Sequence, residues 1–345
     1  MRVRTLLSAT ALLLAMAAPQ APARAAEPLK ISVGWVVLSN DMAPLVFLKP
    51  DILKNYGKTY TVEATRFQGT SAEITALAAG ELDIASLAYS SLPIAIENAH
   101  LDDMRIVSDG FQDGHPGYNS IEYRVRNDGS VNKIEDLKGK ILAINVIGAA
   151  VDIGGRAVLA DHGLMYPRDY SIVEANFPTI GPMLLEHKAD IASVPPPFSY
   201  TPAVVQGTHT LFTMKDGMGV SQMIVMTARK GFLDKNRAAL DDFFDDLVRG
   251  THWMLNPSNR TAAIKFVADV TKQPEALYDS YFLTKKDQYH DPDAKPDLVA
   301  LQRNIDAEVK FGFIKKSIDV KKYSDLSFVE RAARRYAKEE TASAH

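Results

Sequence analysis

The chain has 345 residues, 46% of them hydrophobic, with 39 basic and 42 acidic side chains, a formal net charge of −3 and no cysteine. That balance excludes a surface built to coat nucleic acid or an anionic membrane, and the missing cysteine excludes disulfides, a thiol nucleophile, thiolate metal sites and a lipid-modified cysteine. The length is large for one lobe and comfortable for two of roughly 100–200 residues each.

Arg2 and Arg4 precede an apolar run from Leu6 to Ala18, and Ala23-Arg24-Ala25 fits a small-x-small cleavage site. This is the layout of a secretory signal peptide over residues 1–25, and the run is too short to span a bilayer. The mature chain is then expected to start near Ala26, exported to the periplasm and not lipid-anchored. It loses three arginines and no acid, which leaves 36 basic against 42 acidic side chains, or −6.

Downstream, strands and helices alternate. "LKISVGWV" reads as a strand, "MAPLVFLKPDILKNYG" as a helix closed by Gly57, and "YTVEATRF" as a strand. "TSAEITALAAGE" opens on a hydroxyl cap and stops at Gly80. "LDIASLA" is a short buried strand, "SSLPIAIENA" a capped helix and "MRIVSDGF" a strand. The Gly/Pro-rich "QDGHPGYNS" is a natural crossover. A second set follows: strands in "IEYRVR", "ILAINVIG", "YSIVEANF" and "DIASVP", and helices in "AAVDIGGRAVLADHG", weakened by Gly154-Gly155, and "IGPMLLEHKA". "HTLFTMKDG" leads back out and "SQMIVMTARKGFL" resumes a strand. From Arg237 onward helices dominate, in "RAALDDFFDDLVRGTHWML", "PDLVALQRNIDAEVKFGF" and "DLSFVERAARRYAKE". Alternation of this kind implies parallel sheets covered on both faces. Asp-Ile-Ala-Ser occurs twice, at Asp83–Ser86 and Asp190–Ser193, each time as a central strand whose carboxyl end is where an open α/β sheet places ligand.

The runs "RFQGTSAEITALAAGELDIASLAYSSLP", "NKIEDLKGKILAI", "VLADHGLMYPRDYSIVEA" and "LLEHKADIASVPPPF" resemble the substrate-binding proteins of ABC importers for nitrate, taurine and sulfonates, a superfamily that includes carriers of thiamine-pyrimidine precursors. The resemblance implies a type II periplasmic-binding-protein-like α/β fold: two lobes joined by a two-segment hinge with a ligand cleft between them. It puts the crossings near Asp109–Gly114 and Lys215–Val220. Lobe 1 is then residues 26–112 plus 218–345, and lobe 2 residues 113–217.

A helix N-terminus binds anions through free backbone N–H groups and the macrodipole. Lobe 1 offers two such starts, Gly69-Thr70-Ser71 and Tyr89-Ser90-Ser91, both after strand ends and both matching binding positions of the family. By resemblance the β1 loop forms the outer wall, where Asn40 can donate an amide and Asp41 reads as a helix cap. Lobe 2 departs from the family pattern twice. Gly148-Ala149-Ala150 keeps backbone donors but has lost the relatives' hydroxyls. Pro195-Pro196-Pro197-Phe198 stands where relatives often carry a carboxylate, so an amine-bearing ligand such as taurine loses its partner. Aromatic candidates are Trp35, Tyr89, Phe111, Tyr118 and Phe198; His115 and Arg156 are the cations best placed, with Arg156 read as solvated.

No nucleophile elbow, HExxH or Walker loop occurs, and the eight histidines show no metal spacing. Acidic pairs such as Asp241-Asp242 and Asp245-Asp246 read as solvated helical charge. The expectation is a monomeric binding protein with no cofactor and no chemistry, delivering a small organic anion, a sulfonate or carboxylate, to an inner-membrane ABC permease. A carrier of a neutral heterocycle or a periplasmic sensor module is the alternative, and an enzyme on the same fold the lesser one.

Overall fold

The computed structural model describes residues 27–343; the expected signal peptide lies outside the described residues. Ten strands form two five-stranded sheets. The first has the order β2 (Tyr60–Arg66), β1 (Leu29–Trp35), β3 (Ile84–Ala88), β10 (Ser221–Arg229), β4 (Met104–Asp113). The second has the order β7 (Ser171–Glu174), β6 (Ile141–Ile144), β8 (Ile191–Val194), β5 (Glu122–Arg126), β9 (Thr208–Thr213). Both Asp-Ile-Ala-Ser runs feed the middle strand of a sheet, and β3 and β8 are buried along their whole length, as strands covered on both faces must be.

Neither sheet is wholly parallel, contrary to the expectation. β1 pairs in parallel with β2 and β3, and β6 with β7 and β8. β10 and β5, however, are antiparallel to both their neighbours. These are the strands on which the chain enters each sheet from the other one. A strand arriving from the far lobe is not held to the right-handed helical crossover that makes neighbours parallel. The crossings themselves occupy 114–121 and 214–220, and β4 is still paired at Asp113, opposite Ser221.

The helix expected to run to Gly57 stops at Phe47. Lys49 precedes Pro50 and is not helical, with φ −119° and ψ 69°, since the proline ring disfavours helical geometry before it. The backbone N–H groups of Lys54, Asn55 and Tyr56 instead donate to Asp246, as does the Tyr60 hydroxyl. Asp246 is therefore a buried anchor and not solvated charge. Asp241 and Asp245 pair with Arg331 and Arg335 of the final helix Ser327–Ser343. In the helix Ala150–Asp161 the two glycines permit close packing: a Cβ on Gly154 would lie 2.8 Å from Met214 Cγ, and one on Gly155 2.8 Å from Tyr123 Cε1.

Candidate ligand cleft

The carboxyl ends of the parallel strands in the two sheets face each other across a cavity of about 60 Å³. From the first sheet come Asn40 and Asp41 after β1, Gly69 and Thr70 at the head of the helix Thr70–Ala79, and Met223 and Ile224 of β10. From the second come Asn145 after β6, Ala149–Val151 at the head of the helix Ala150–Asp161, Phe177 and Pro195. An outer chamber of about 430 Å³ shares Val36, Val37 and Phe177 with it and is walled by Trp35, Phe198 and Tyr278. The rings of Phe177 and Phe198 stack 6.5 Å apart.

Of the residues singled out in the sequence, the inner cavity gathers Asn40, Asp41, Gly69, Thr70, Phe111, Ala149, Ala150 and Pro195, and the outer chamber Trp35 and Phe198. The others go elsewhere. Ser71 is exposed at the first turn of its helix. Gly148 spends its N–H on Asp152 at 2.7 Å, so the protein's own carboxylate occupies that donor. Pro196 is buried and takes part only through its carbonyl. His115 and Tyr118 lie in the crossing turn, His115 stacked on Tyr289 at 3.9 Å and Tyr118 under Lys285 at 3.7 Å. Asp41 and Ser90 stand at N-cap positions and Thr70 one residue inside its helix, but none makes a side-chain cap bond: Asp41 accepts from Val36 N–H at 3.1 Å, Thr70 Oγ1 pairs with Ser91 Oγ at 2.6 Å, and Ser90 Oγ is buried without a partner among the described residues. Arg156 is not solvated but bonded to Asp152 at 2.7 Å.

Contacts that join the lobes include the following. Tyr89, fully buried, donates its hydroxyl to Ala150 O at 2.9 Å. Asn40 Nδ2 donates to Pro196 O at 3.2 Å. Tyr200 stacks on Tyr281 at 4.6 Å and donates to Lys286 O at 2.7 Å. Gly69 sits against the facing lobe, where a Cβ would come within 3.3 Å of Val146 Cγ2. Burial keeps Tyr89 protonated by raising its pKa well above the ordinary value, with Glu308 adding to the effect.

The electrostatics are one-sided. Among the described residues no lysine, arginine or histidine lines the inner cavity, and Arg66 lines the outer chamber. Asp41 does, and burial pushes its carboxyl up to about 7 against the opposing N–H groups of Val36 and Val37. Beneath it Glu73 is fully buried and raised well above its ordinary value by desolvation and then by Asp41; its carboxylate accepts from Ser86 N–H at 2.7 Å. Asp41 Oδ1 and Asn145 Oδ1 are buried and have no partner among the described residues. The arrangement offers hydrogen-bond acceptors inside an otherwise apolar chamber. Among the described residues no group of three or more histidine, aspartate or glutamate side chains converges to hold a metal ion.

Sequence reasoning missed Asn145, Phe177, Met223 and Ile224. Asn145 follows the last residue of β6, so the strand-end rule that picked Tyr89 applies to it equally. Met223 and Ile224 enter on the reversed strand β10, and nothing local marks them.

The sequence model of the NMT1-like family matches residues 24–268. No curated protein matches the chain. Among solved structures, the alkanesulfonate-binding protein SsuA from Xanthomonas axonopodis pv. citri, bound to MOPS, superposes with a TM-score of 0.69 at 16% identity, over 88% of this chain and 100% of that one. The periplasmic nitrate-binding protein NrtA from Synechocystis PCC 6803 gives 0.71 at 15% identity, over 90% of each. The desulfurization enzyme DSZB gives 0.63 at 12% identity, over 89% of this chain and 99% of that one. These likenesses agree with the two-lobed α/β fold described above.

Proposed function

The chain belongs to the NMT1-like family, and we propose that it is the periplasmic solute-binding component of an ABC importer. A signal peptide over residues 1–25 exports it. Lobe 1 (26–112 and 218–345) and lobe 2 (113–217) turn about the crossings 114–121 and 214–220 and close on one small solute. The protein is a monomer in this role, and an inner-membrane permease reads the closed form. The contacts of Tyr89 with Ala150 and of Asn40 with Pro196 favour that form even before a solute adds to it. Binding needs no covalent step.

The solute class follows from one observation: two buried acceptors, Asp41 and Asn145, face a cavity that holds no basic side chain. An organic anion would sit beside Asp41, whose carboxyl is partly ionised at neutral pH, with no basic side chain in the inner cavity to offset it. A neutral or cationic solute with N–H donors satisfies both acceptors, and a nitrogen heterocycle also suits the Phe177–Phe198 wall. The helix heads at Thr70 and Ala150 are the feature that favours an anion.

Calorimetry with 4-aminopyrimidine and benzenesulfonate as probes decides between them. The aminopyrimidine is expected to bind, and Asp41→Asn to weaken it about tenfold, as for a lost charge-assisted bond. Preferential binding of the sulfonate, tightened by Asp41→Asn, would overturn the N–H reading. Probe recovered chemically altered would overturn the carrier reading and favour an enzyme.

A further inference from the structure

We propose a second ligand site in the seam beside the helix Ala150–Asp161, for a small oxyanion carried on an aromatic body. The pocket there has a volume of about 290 Å³. Arg156, Tyr166 and Tyr170 line it from lobe 2, and Lys310, Phe311 and Phe313 from lobe 1. Two of its donors are buried without a partner among the described residues: Arg156 Nη2 and the Tyr170 hydroxyl. Tyr170 is only 5% exposed, and burial raises its pKa above the ordinary tyrosine value, so it stays an O–H donor.

The guanidinium is fixed in place. Its Nε donates to Asp152 at 2.7 Å, and its plane lies over Tyr166, 4.2 Å from the ring centroid, with Phe313 at 5.5 Å from the other lobe. That leaves Nη2 as a held donor with nothing to bind. An unsatisfied buried donor costs about 1–3 kcal/mol, more when charged. One oxyanion relieves both Arg156 and Tyr170, and a guanidinium suits carboxylate or sulfonate geometry. The formal charges also favour it: Arg156 and Lys310 against Asp152 leave one positive charge. The rings of Tyr166, Phe311 and Phe313 accept the apolar body. The seam thus holds a cation that the inner cavity lacks. Because both lobes wall the pocket, its occupant favours their closure and raises cleft affinity, and the coupling is reciprocal.

The test is calorimetry of the mature chain with benzoate, with benzamide as its neutral counterpart. Saturable binding of one benzoate is expected, weakened about tenfold or more in benzamide, about fivefold in Tyr170→Phe and about tenfold in Arg156→Lys. Asp41→Asn, which alters the cleft, is expected to leave benzoate binding in the seam in place. Tyr170→Phe removes one oxygen and keeps the ring, so it remains informative if Arg156→Lys fails to fold. Absence of saturable benzoate binding, binding indifferent to both seam substitutions, or binding lost in Asp41→Asn would overturn the site.

Discussion

The two Asp-Ile-Ala-Ser runs occupy equivalent central strands, and they begin alike and end differently. At the start, Asp83 accepts from Ser32 N–H at 2.8 Å and Asp190 from Ile141 N–H at 3.0 Å, so each aspartate clamps the neighbouring strand, Asp83 at the middle of β1 and Asp190 at the first residue of β6. At the far end Ser86 donates its N–H to Glu73 and its hydroxyl to Gly34 O at 2.8 Å, while Ser193 Oγ is buried with no partner among the described residues. The shared half of the repeat serves the sheet. The half nearest the cleft has diverged: lobe 1 stores carboxyls there, and lobe 2 presents backbone and apolar surface.

The largest expected effect is on the pH dependence of the two halves. In lobe 1 and its C-terminal segment, burial raises Asp41 to about 7 and Asp109 and Glu308 each to about 8. Each binds its proton more tightly folded than unfolded, so its stabilisation is complete below about pH 4 and is lost as pH rises to 7 or 8. For Asp41, from 3.8 to about 7, that is at most roughly 4 kcal/mol at 1.36 per unit. Lobe 2 is mixed: burial raises Asp152, but Ser130 and Arg126 hold Asp128 below the ordinary value, and Arg168 holds Asp169 at about 2. The contribution of Asp128 and Asp169 is present above about pH 4 and is lost only as pH falls below it. Both tryptophans, Trp35 and Trp253, belong to lobe 1 by the boundaries proposed above. The urea midpoint read by tryptophan fluorescence should therefore fall between about pH 5 and pH 8, less so in Asp41→Asn. A rising midpoint would break the contrast.

Glu73→Ala comes next. It leaves Ser86 N–H unpaired and opens a void against Gly34, costing about 3 kcal/mol in denaturant unfolding. Ser86→Ala should cost about 1 kcal/mol and Ser193→Ala about nothing, since only the first hydroxyl has a partner; equal costs would mean that the copies are equivalent after all. The smallest effect is expected from Tyr89→Phe. It removes one bond across the cleft, about 0.5–1 kcal/mol, and should enlarge the ligand-free particle in small-angle scattering with little change in melting temperature.

Much of the fold was legible because its signals are local. Gly80 stops its helix with φ of 76°, the helix Arg237–Leu255 has the bounds its periodicity gave, and the repeat marked both central strands. What was not legible depends on partners distant in sequence. Pro50 warned of an interruption, but that Asp246 organises the segment after it could not be read from either stretch. Thr70 looked like a cap and is a partner of Ser91. The acidity of the cleft was hidden because Glu73 follows Thr70 at the spacing of an ordinary helix start, whereas its carboxylate reaches β3 instead. The strand-end rule located the cavity; the charge of its lining came from side chains that the rule does not weigh.

The position of β10 between β3 and β4 sets the order in which the halves can mature as the chain emerges from its N-terminus. The second sheet uses one continuous stretch, from Glu122 to Thr213, and can assemble as soon as that stretch is through. The first has a vacancy next to its middle strand until Arg229 has followed, and closing it joins segments more than a hundred residues apart, the slower kind of step. Pulse-labelled amide exchange should find β8 protected before β3.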